Sequence, residues 1–153
     1  DAGADIFLAH GPHVLRCIEI YNGKPIFYSL GDFVFQNETV SRQPWDNYES
    51  RGLGPDAVAQ DFYDARQSTG GFPARQQVWE SFVASVRFQG DELAGVDLHP
   101  ITLGHGLDRP QRGRPLLATG VLARKIIDET REYSQPFGTE IDFVDGIGVI
   151  RFQ

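Results

Sequence analysis

At 153 residues and a formal net charge of −7, the chain is long enough to bury one core of its own. It is too acidic to favour nucleic acid or an anionic membrane surface, both of which need a basic face. Hydrophobic residues make up 41% and charged residues 23%, the balance of an ordinary globular domain, and no apolar run approaches the length that crosses a bilayer.

Methionine is absent, so Asp1 does not read as a natural start and the chain is expected to be a piece of a longer one. Ile6 to Ala9 is apolar on both faces, which predicts a buried strand; Gly11 and Pro12 end it and leave His10 and His13 on a strand-end loop. Val14 to Tyr21 resumes an extended pattern and includes Cys17, a lone cysteine that excludes an intramolecular disulfide. Asn22-Gly23 is the strongest two-residue hairpin signal, and Ile26 to Leu30 returns as a second buried strand that Gly31-Asp32 terminates. From Gln36 to about Gln77 periodicity disappears, and only Pro55 to Arg66 is expected to form a short helix, with Pro in its first turn. An excursion of this kind either covers a sheet edge or forms a substrate-side loop.

Glu80 to Gln89 alternates, with Phe82, Ala84, Val86 and Phe88 on one face. After a turn at Gly90-Asp91, Leu93 to Ile101 alternates again, placing Ala94, Val96 and Leu98 inward and Asp97 and His99 on the opposite face. Leu107 to Pro115 is a loop with the one local basic cluster, Arg109, Arg112 and Arg114, read as solvated or as a recognition patch for a polyanion. Thr119 is placed to cap a helix through Ser134, with Leu122, Ile126, Thr130 and Tyr133 as its buried stripe and Arg124–Asp128 and Lys125–Glu129 outside. Thr139 to Phe143 and Ile147 to Phe152 flank a turn at Asp145-Gly146. The pattern is that of an α+β fold with mainly antiparallel strands and one long helix. No serine-hydrolase elbow, Walker loop or dinucleotide fingerprint occurs, and nothing electropositive activates Cys17.

The runs Gly3-Ala4-Asp5, His10-Gly11-Pro12-His13-Val14, Glu19-Ile20-Tyr21 and Lys24 through Phe33 resemble the C-terminal signature block of the CapA, or poly-γ-glutamate capsule-synthesis, family. Gly113-Arg114-Pro115 and Ser134 to Thr139 resemble its distal segment. That family is similar to the calcineurin-like metallophosphoesterases, which hold two divalent metals between the strand-end loops of a β-sandwich flanked by helices. The resemblance implies that this chain is the C-terminal part of such a domain, that its N-terminal portion lies upstream, and that His10 and His13 are the last metal-ligating motif. The family usually carries Gly-Asn-Phe where this chain has Gly31-Asp32-Phe33.

The implied chemistry is hydrolysis of a phosphoester, or action on an anionic polymer, by two metals (Mn, Fe or Zn) that activate water. His10 and His13 are candidate ligands and catalytic residues. Asp32, just after a buried strand, is a candidate catalytic residue that orients a histidine or a metal-bound water, or else a turn residue. Asp5 and Glu19 are weaker candidates for the same supporting role, and His99 and His105 read as solvated. Two imidazoles fall short of the usual three protein ligands of a catalytic zinc, so the chain alone is expected to be inactive and to hold little or no metal. A non-catalytic accessory or scaffold role in polymer synthesis and export is the alternative. A cell-envelope location of the parent follows from the resemblance, and self-association of the isolated chain from its uncovered sheet.

Overall fold

The computed structural model describes residues 2–151, the side chain of Glu38 excepted. Asp1 and the predicted strand end at Phe152 lie outside the described residues. Strand β1 (Phe7–Leu8) is followed by β2 (Ile18–Tyr21) and β3 (Lys24–Phe27). Asn22 and Gly23 take φ of 49° and 72°, the left-handed pair that a tight antiparallel connection between β2 and β3 requires. β1 pairs in parallel with β3, so this small sheet runs β1-β3-β2.

The second sheet contains β4 (Glu80–Gln89), β5 (Glu92–Thr102), β6 (Leu116–Leu117), β7 (Asp142–Val144) and β8 (Ile147–Arg151). It runs β4-β5-β8-β7, all antiparallel, with β6 added on β5. Before it come α1 (Trp45–Glu49) and α2 (Ala59–Ser68); α3 (Gly120–Ser134) lies between β6 and β7.

One core joins both sheets to the long helix: Ile18 and Phe27 of the small sheet pack with Phe82, Val96, Leu98 and Ile150 of the large one and with Ile127 of α3. Burying side chains of this size is worth about 1.5–3 kcal/mol each and is what clamps the layers. A second cluster, Val78, Trp79, Ile101 and Leu103, sits beneath the loops at one end and receives Val14, Phe35 and Phe72.

Four sequence expectations are corrected. Phe7 and Leu8 form strand, but Ile6, Phe7 and Leu8 stand 38%, 52% and 56% exposed, because nothing among the described residues packs over β1. Ala94 is exposed rather than inward: the register slips between Arg87 and Phe88, so Ala94 is the extra residue of a bulge and the alternation restarts at Gly95. The buried stripe of α3 is Ala123, Ile126, Ile127, Thr130 and Ser134, a slight rotation that leaves Tyr133 exposed. The first helix of the excursion, α1, had no periodic signal, and α2 begins at Ala59 rather than Pro55 because the Asp61 carboxylate accepts the Val58 N–H at 3.0 Å and fixes the first turn there.

Candidate metal centre

His10 and His13 stand at the two ends of one turn, closed by the His13 N–H donating to the His10 carbonyl at 3.0 Å. The turn hangs from the sheet through Ala9, whose N–H donates to Phe27 and whose carbonyl accepts from Leu30. His13 has φ of 58°, a backbone state that costs a residue of this type on the order of 1 kcal/mol and persists only where the surroundings hold it.

Those surroundings come from the end of β3. His10 Nδ1 lies 3.2 Å from the Gly31 carbonyl, and His13 Nδ1 lies 2.8 Å from Asp32 Oδ1. A carbonyl and a carboxylate can only accept, so each neutral ring carries its proton on Nδ1 and keeps the Nε2 lone pair open. Gly31 has φ of 70°, and a Cβ there would come within 3.2 Å of the Glu80 carbonyl, so a glycine lets this segment pass close enough to serve both rings. Asp32 is therefore the partner of His13 rather than a simple turn residue. Its side chain is 15% exposed, and its second oxygen, Oδ2, is buried without a hydrogen-bond partner among the described residues.

The excursion closes one side of the site. Phe72 meets the His13 ring edge-on, with centroids 5.4 Å apart, and itself leans on Phe35, which stacks edge-on against Trp79. His105 is exposed and touches Trp79, away from the histidine pair. Two arginines of the basic loop are committed elsewhere. Arg109 binds Asp61 and Asp64, and Arg112 binds Asp64 and Gln67, so these guanidiniums tie α2 to the loop after β5, while Arg114 is exposed as expected.

The weaker candidates sit apart from the pair. Asp5 accepts from Lys24 and Glu19 from Tyr28, and neither is bonded to a histidine. Burial pushes the Cys17 thiol up, which keeps it protonated and poorly nucleophilic. Sequence reasoning missed Phe72, which no periodicity marks, and Glu80, 3% exposed at the start of a strand and bonded by Lys125 and Gln76.

The donor set fits a divalent metal in kind but only in part. Two neutral imidazoles oriented through Nδ1, one by a carboxylate, are the histidine arrangement of many metal sites, and the orphaned Asp32 Oδ2 is a further acceptor beside them. No group of three or more His, Cys, Asp or Glu that could hold a metal ion converges among the described residues.

Residues 1–37 match the family model described as bacterial capsule synthesis protein PGA_cap. Along 99% of its length the chain is 39% identical to the uncharacterized protein y4sH of Sinorhizobium fredii, of which it covers 34%. Over 35 residues, 23% of the chain, it is 71% identical to the PGA biosynthesis protein CapA of Bacillus subtilis and 60% identical to the capsule biosynthesis protein CapA of Bacillus anthracis, covering 9% and 8% of them. The chain thus spans about a third or less of the curated relatives it matches. Both histidines, Asp32 and the turn that joins them lie inside residues 1–37, the segment that is similar to the bacterial capsule synthesis family PGA_cap.

Proposed function

We propose that this chain is the C-terminal part of a metal-dependent, phosphoesterase-like hydrolase that serves synthesis of a capsule polymer of the poly-γ-glutamate kind at the cell envelope. The capsule assignment rests on the names of its relatives. The hydrolase assignment is carried by one observation: two histidines of one turn are each fixed through Nδ1 by consecutive residues, Gly31 and Asp32, leaving both Nε2 atoms open.

His10 and His13 would hold divalent ions, Mn, Fe or Zn, together with ligands from upstream motifs. When bound, such ions activate a water and offset charge on a phosphoryl or comparable oxyanion. This chain's own residues orient the imidazoles through Gly31 and Asp32 and shield His13 with Phe72. The upstream portion of the domain would also complete a metallophosphoesterase-like sandwich. A cavity of about 430 Å³ lined by Ile6, Leu8, Phe27, Phe33 and Phe82 runs up to His10 and is suited to take it. Expressed alone, the chain would cover that face by self-association.

The test is phosphoesterase activity of the full-length protein with added manganese. Loss of activity when His10 and His13 are both replaced by Ala supports the reading. A wild-type protein without activity, or a double variant as active as wild type, assigns the protein to an accessory role in polymer synthesis instead.

A further inference from the structure

A second cavity, of about 220 Å³, opens beside the histidine turn, between Val14, Arg16, Arg75, Glu80, Glu129 and Tyr133. It adjoins the candidate metal centre through two chain connections. Val14 directly follows His13 and Arg16 comes two residues later, and Arg75 directly follows the Phe72–Ala74 turn whose Phe72 touches the His13 ring. The backbone of each arginine is pinned: the Arg16 N–H donates to Ser29 and the Arg75 N–H to Phe72.

The charges around this cavity are unevenly committed. Glu80 accepts from Lys125 and from Gln76, and Glu129 lies 3.4 Å from the same Lys125 ammonium, so the acidic wall is already answered by protein cations and amides. Neither the Arg16 nor the Arg75 guanidinium has a hydrogen-bond or ion-pair partner among the described residues. In a chain with formal charge −7, these two unpaired guanidiniums line one cavity. Arg109 and Arg112, by contrast, are consumed by Asp61 and Asp64. A guanidinium presents parallel N–H donors that match the two oxygens of a carboxylate or phosphate. The volume is ample, since a liquid water occupies about 30 Å³.

We infer that Arg16 and Arg75 form an oxyanion-binding subsite beside His10 and His13, which takes a carboxylate or phosphate group of an anionic ligand. The subsite stands without a metal, so it can be tested apart from hydrolysis.

The experiment is calorimetric titration of the full chain, at low ionic strength and with a chelator present, using inorganic phosphate and, separately, a short γ-linked glutamate oligomer. Binding of phosphate alone, of the oligomer alone, or of both supports the subsite and identifies the group it prefers. Arg16→Ala and Arg75→Ala should each weaken that binding at least tenfold, Arg75→Lys should lose less, and the double His10→Ala, His13→Ala variant should bind as wild type. Both arginines are exposed, so the variants should keep the wild-type circular dichroism spectrum. Failure of both titrants to bind, Arg variants that bind as wild type, or binding lost only in the His variant overturns the subsite. None of these results bears on whether manganese supports phosphoester hydrolysis.

Discussion

Phe72 stands edge-on to His13, 5.4 Å between ring centroids, and brings a segment without periodic structure into contact with the candidate metal centre. An edge contact of this kind is worth about 0.5–1.5 kcal/mol and fixes the plane of the imidazole. Phe72→Ala should therefore lower manganese affinity of the full-length protein roughly threefold to tenfold, read by calorimetry at a temperature well below its thermal midpoint. Unchanged affinity would show that the ring is held by Asp32 alone.

Asp32 is the second determinant of that ring. Removing the acceptor with Asp32→Ala should cost about 10- to 100-fold in metal affinity, the usual effect of deleting a group that orients a ligand. Asp32→Asn keeps an oxygen for the Nδ1 proton and should fall between the two. Equal affinities for all three proteins would remove the carboxylate from the site.

Buried Glu80 pairs with half-exposed Lys125, their side chains 4% and 36% exposed. Burial lowers the Lys125 pKa, but the Glu80 bond and charge outweigh it and leave the ammonium above its usual value. A raised folded value means that the stabilisation is complete below the unfolded lysine pKa of about 10.4 and is lost as pH rises through the folded one. Lys125→Met should strand the Glu80 carboxylate and destabilise by about 2–3 kcal/mol, and Glu80→Leu added to it should recover most of that loss. Urea unfolding of the three variants decides it.

The Arg109, Arg112, Asp61 and Asp64 cluster latches α2 to the loop after β5. For Asp61, the Arg109 hydrogen bond holds the carboxyl below its usual range. For Asp64, burial pushes upward, and the Arg112 and Arg109 bonds more than reverse it. A depressed folded value gives stability that is full above the unfolded Asp pKa of about 3.9 and lost as pH falls below it. Limited proteolysis within residues 36–77 should therefore quicken below about pH 4. It should also quicken at neutral pH in Arg112→Ala, whose guanidinium is only 10% exposed and whose loss should cost about 1–2 kcal/mol. Equal cleavage rates would mean that the excursion is held by its aromatic residues instead.

Much of the scaffold was legible because its signals are local. The turns at Asn22-Gly23 and Asp145-Gly146 demand left-handed backbone, the β4–β5 hairpin alternates, and α3 starts and stops within a residue of expectation. The errors arose where a distant contact decides. Nothing in the run Ile6 to Ala9 says whether another layer covers it. One extra residue, Ala94, inverts an alternation that otherwise reads correctly. At the site, the histidine pair stood out by its spacing and Asp32 by its position, but their bond did not, because it depends on how the end of β3 approaches the turn. The arginines at 109 and 112 looked free because their carboxylates lie in the excursion, some forty-five positions away in the chain.

The two imidazoles take their bearings from neighbouring positions, Gly31 and Asp32, rather than from separate parts of the molecule. The gap between their open nitrogens consequently depends on one peptide unit as well as on the turn that carries both rings. Distant substitutions can tilt the pair as one body but will hardly alter its spread, whereas one inserted residue after Ser29 would misplace both rings at once.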